Sequence, residues 1–84
     1  MEYNMNRPLN LTYDELLAET RAALYVLITT SSTPPDAFDR GCRSGTISFW
    51  YKLAMKTSAP DEQCREDYRQ LCLLAGQEPP VDVR

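Results

Sequence analysis

The residues of this chain that could do chemistry are its thiols, its carboxylates and a short run of cations. Cys42 stands beside Arg43, and a neighbouring cation favours the reactive thiolate. No second base supports it, because the sequence holds 0 histidines. That lack removes the commonest general base, the Ser-His and Cys-His nucleophile pairs and the commonest metal ligand. Cys64 and Cys72 lie on one expected helix, where about 1.5 Å of rise per residue sets them roughly 12 Å apart, too far to bridge. Three cysteines so scattered close no zinc site and describe no disulfide framework. All of them read as small buried hydrophobes in a reducing compartment. Glu15, Glu19, Glu62 and Glu66 fall on polar helix faces and read as solvated acids. Gly41 and Gly45 lack the spacing and the Lys-Ser/Thr ending of a phosphate loop. The expectation is a protein that is not an enzyme, with no cofactor and no metal.

The cations are more informative. From Arg40 to Lys56 the chain carries Arg40, Arg43, Lys52 and Lys56 and no acidic residue. Such a run could hold backbone phosphates, which position a protein on nucleic acid. The whole chain, with 9 basic against 12 acidic residues and a net charge of −3, is not a general polyanion binder.

The elements that must position these residues are helical. Eighty-four residues make one domain, and a chain this short needs an efficient core or one shared with a partner. Residues 1–11 read as a loose arm, without a targeting segment. Thr12-Tyr13-Asp14-Glu15 is a capping box that opens a helix over 13–30, and Leu16, Leu17, Leu24, Leu27 and Ile28 give it an apolar stripe. Thr33-Pro34-Pro35-Asp36 is a second start, with Pro34 suited to the first helical position. Gly41 and Gly45 then leave two courses. Gly41 stops a short helix over 34–40 and another spans 46–57, or one long helix runs from Pro34 to about Lys56. The long helix would line one face with Phe38, Cys42, Phe49 and Leu53, with Gly45 between. Two internal glycines would cost it about 1 kcal/mol each, which favours the break. A last helix over 60–75 presents Cys64, Tyr68, Leu71, Cys72 and Ala75, and Gly76 ends it before an extended tail over 77–84. The fold class expected is all-α, a small three- to four-helix bundle. The longest apolar run, Ala22 to Ile28, falls far short of the ~20 residues of a membrane span, so a cytoplasmic protein without membrane contact is expected.

The segment from Thr33 to Lys56 resembles the helix-turn-helix unit of phage repressors and Cro-type regulators. Ala37, Gly41, Ile47 and Trp50 stand at that family's spacing, and Thr46-Ile47-Ser48 matches a frequent start of its recognition helix. A fainter likeness is to the small regulators that accompany anti-CRISPR genes in phages. The chain departs from the pattern at Asp36 and Arg40, where the family carries apolar residues. The resemblance implies a DNA-binding regulator of phage or mobile-element type. Ile47, Trp50 and Ala54 would face inward, and Arg43, Ser44, Ser48, Phe49 and Lys52 the major groove, with Arg40 and Lys56 on phosphates. A homodimer on a palindromic site is then expected, with the first helix or the N-terminal arm as dimerisation candidates.

Two other functions compete. The same residues also read as core and solvated face of a plain bundle that binds protein: a small acidic interaction module, such as a phage-encoded, anti-CRISPR-like inhibitor of a host defence complex. Phe49, Tyr51 and Met55 would then serve as contact residues. A small-ligand sponge built at an oligomer interface is the third function, and no residue specifies its ligand. The partner expected is DNA or a host protein complex.

Overall fold

The computed structural model describes residues 11–78. Three helices make up the fold: α1 over Tyr13–Thr30, α2 over Ala37–Ala54 and α3 over Asp61–Leu74. No strand occurs among the described residues, and the molecule is an all-α three-helix bundle. The arm expected over 1–11 and the tail expected over 77–84 lie outside the described residues, save Leu11, Gln77 and Glu78. No helix among the described residues is long and apolar enough to cross a membrane.

α1 starts as its capping box dictates. The Thr12 hydroxyl accepts from the Glu15 amide at 3.0 Å, and the Glu15 carboxylate accepts from the Thr12 amide at 2.9 Å. α2 starts later than the sequence suggests. Its N-cap is Asp36, which trades the same pair of bonds with Asp39, so Pro34 lies outside the helix. Two adjacent prolines explain the delay: Pro35 disfavours helical backbone at Pro34, so the helix begins only beyond both. The Thr33–Pro34 peptide is cis. The Asp39 carboxylate also accepts from the Ser32 amide at 3.0 Å, tying the α1–α2 connection to the first turn of α2.

The larger correction concerns the break. Helices over 34–40 and 46–57 do not exist separately; α2 runs 18 residues through Gly41 and Gly45 without interruption. The physical reason is its inward face. Arg43, Ile47, Trp50 and Ala54 recur at helical spacing and are all buried. Burying Ile47 and Trp50 contributes about 1.5–3 kcal/mol each, which offsets the glycine penalty the local reading relied on.

α2 is the central element and packs on both neighbours, while α1 and α3 touch little. The core consists of Leu17 and Leu24 from α1, Ile47, Trp50 and Ala54 from α2, Cys64, Leu71 and Cys72 from α3, and Ala75 just beyond it. Cys64 and Cys72 are thus the buried hydrophobes expected, and burial pushes the Cys72 thiol up; Cys42 is only half-buried. An aromatic row crosses the bundle. Trp50 lies 6.1 Å from Tyr13 and 6.2 Å from Tyr51 between ring centres, and Tyr51 lies 4.8 Å from Tyr68. The Tyr13 hydroxyl donates to the Asp67 carboxylate at 2.6 Å and joins α1 to α3. α3 ends as expected. Gly76 takes φ +73°, its amide donates to Leu73 and the Gln77 amide donates to Cys72, which is a Schellman motif.

Candidate interaction surface

Arg43 fixes which side of α2 faces the core. Its guanidinium is buried, with Nη1 donating to the Ala75 carbonyl at 2.8 Å and Nη2 to the Ser31 hydroxyl at 3.1 Å. Ala75 and Ser31 are the C-caps of α3 and α1, and neither helix has a basic residue in its own last turn. Arg43 therefore sets one positive charge between two negative helix ends. The expectation that it faces a DNA groove is corrected: it is an internal brace. Its Nε finds no acceptor among the described residues, nor does the indole Nε1 of Trp50.

The other proposed contact residues divide into two groups. Arg40 and Ser44 border the chain beyond α3: Ser44 donates to the Gln77 side chain at 3.0 Å, and Gln77 donates to the Arg40 carbonyl at 2.9 Å. The Arg40 guanidinium turns back to the Pro35 carbonyl at 2.8 Å. Ser48, Phe49, Lys52 and Lys56 are exposed. The inward positions expected of Ile47, Trp50 and Ala54 are found.

The outward side of α2 carries an apolar stripe. Phe38, Cys42, Gly45, Phe49 and Leu53 follow at steps of four, three, four and four and so share a face. Phe38 is 77% exposed and Phe49 64%. Gly41 and Gly45 lie between them, and a Cβ built on either meets no atom within 4 Å. Nothing inside the bundle requires these glycines. They form a notch bounded by two phenyl rings, with Asp36 and Asp39 at one end and Lys52 and Lys56 at the other. Phe38 and the glycines are missing from the set chosen for DNA contact. Their signal was nonetheless in the sequence, as the face of the unbroken helix.

Elsewhere the surface is acidic. α3 opens with Asp61 and Glu62, and Glu62 and Glu66 line a depression with Pro60 and Gln63. Glu66 pairs with Arg69 at 2.8 Å, and bonds from Arg69 and Gln70 hold its carboxyl below the usual range. No group of three or more metal-ligating side chains occurs among the described residues. No family model matches this chain, and no curated protein or solved structure matches it.

Proposed function

We propose that this chain is a small helical protein–protein interaction module of the cytoplasm, without catalysis of its own, that engages its partner through the outward side of α2. The observation that carries this reading is the pair of exposed phenyl rings, Phe38 and Phe49, flanking two glycines whose added Cβ would meet no atom of the described residues within 4 Å. Large apolar groups exposed along one helix face mark contact sites, and aromatic residues are enriched there. The DNA-reading alternative keeps its exposed cations, Arg40, Lys52 and Lys56, but draws less support from the fold. The turn it needs lies within continuous helix, its central cation braces two helix ends, and the helix that follows the real turn begins with two carboxylates. Binding a larger assembly and blocking it, as an inhibitor does, is one use such a face would serve.

A benzophenone amino acid at position 49 tests this reading in extract of the source cell. The expected products are adducts with protein, whose yield falls when Phe38 is replaced by Ala. Adducts confined to nucleic acid, or a yield indifferent to Phe38→Ala, would overturn it.

A further inference from the structure

The partner that fits this face is a second copy of the chain. This step rests on the reading of the face as an interface and names its occupant. We propose that two copies pair through α2, antiparallel, with a twofold axis passing beside Gly45.

Shape is the first ground. A twofold interface joins one patch to itself, so residues equally spaced about the axis meet across it. With the axis at Gly45, Phe49 stands opposite the partner's Gly41, and Lys52 opposite the partner's Phe38. Each Phe49 ring thus meets a vacancy, since no atom among the described residues lies within 4 Å of a Cβ built at Gly41. Each Lys52 ammonium reaches a phenyl face, a cation–π arrangement. Ser48 beside the glycines also leaves room for close approach of the two backbones.

Charge is the second ground and selects the direction. α2 carries Asp36, Asp39 and Arg40 at its start, two acids against one base, and Lys52 and Lys56 without an acid at its end. Antiparallel pairing sets each acidic end against the partner's basic end, and it also opposes the helix dipoles favourably. Parallel pairing would stack like charges at both ends. The stripe is therefore complementary to itself in one orientation. An arbitrary partner would have to supply both the knobs and the reversed charges.

Sedimentation equilibrium of the full chain over a range of concentrations tests the proposal. Wild type is expected to dimerise, and Phe49→Ala to weaken pairing by about thirtyfold, the scale of a hot-spot side chain. Gly45→Ala separates this role from a structural one, because it should raise the melting temperature of dilute protein while weakening association. Direction is read by oxidative cross-linking in a Cys42→Ser background. Gly45→Cys should cross-link to itself. Phe38→Cys should not, since antiparallel pairing places those two positions about 20 Å apart.

A chain monomeric at every concentration overturns self-pairing, as does Phe38→Cys cross-linking to itself more readily than Gly45→Cys. If the monomer still forms Phe38-dependent adducts with another protein from position 49, the interaction-module reading stands while self-pairing falls. If such adducts are missing too, both fall.

Discussion

Arg43 shows how a single side chain can settle the orientation of a helix. A guanidinium has donors spread over a planar fork, so it can bond two acceptors at once where an ammonium bonds mainly as a point charge. Here the fork spans the Ala75 carbonyl and the Ser31 hydroxyl, and Ser31 itself donates back to Leu27. Arg43→Ala is expected to lower unfolding free energy by about 2–3 kcal/mol in urea titration, the range for charge-assisted buried bonds. Arg43→Lys should recover only part of that loss; full recovery would show that the fork geometry is immaterial. Tyr13 sets a second residue-level expectation. Burial first, and then its bond to Asp67, raise its hydroxyl far above the ordinary tyrosine value. Tyr68 is shifted the same way, mainly by burial. The unfolded chain therefore gives up these protons at about pH 10 while the folded chain still holds them. Their contribution is complete below that pH and is lost as pH rises above it. Melting temperature should fall steeply above about pH 10. Tyr13→Phe should flatten that fall, and an unchanged slope would refute the assignment.

At the scale of the element, the glycines make opposite predictions. Gly41 and Gly45 are helical and face open space, so Gly41→Ala and Gly45→Ala should each stabilise dilute protein by about 1 kcal/mol. Gly76 holds a left-handed backbone at the end of α3, so Gly76→Ala should destabilise by about 1–2 kcal/mol. Denaturant titration of the three variants checks both signs; stabilisation at Gly76 or loss at Gly45 would contradict this account. The start of α2 adds a pH dependence. The amides of Asp36 and Ser32 donate to Asp39 and hold its carboxyl below the usual range. A lowered folded-state value means the contribution is present above about pH 4 and is lost as pH falls below it. Asp39→Asn should therefore make stability less sensitive to acid. These terminal features were legible in the sequence because a cap is a local bargain: Thr12 with Glu15 and Gly76 with its two amide bonds involve residues a few positions apart. The start of α2 was half legible: Thr33-Pro34-Pro35-Asp36 marks a helix start, but Pro35 disfavours helical backbone at Pro34 and moves that start beyond both prolines, to the Asp36 cap.

For the whole molecule, the decisive fact is that α2 lies between α1 and α3 and yet, among the described residues, keeps one long side uncovered. Its inner side is structural. Trp50→Ala should cost about 3–5 kcal/mol, enough to unfold a bundle of this size. Its outer side is free to change: Phe38→Ala with Phe49→Ala should leave the melting temperature of dilute protein nearly unaltered, within about 0.5 kcal/mol per site. A large loss would mean that these rings pack on their own bundle. The sequence by itself determined that the chain is helical, where α1 begins, where α3 stops, and which apolar residues of α1 and α3 turn inward, because caps and 3.6-residue periodicity are properties of neighbouring residues. Only the tertiary structure decided that α2 crosses its two glycines unbroken and that Arg43 lies inside. Both outcomes depend on groups distant along the chain: the core around Trp50, which outweighs a local helix penalty, and the ends of α1 and α3, which become acceptors for one cation only once the three helices are packed together.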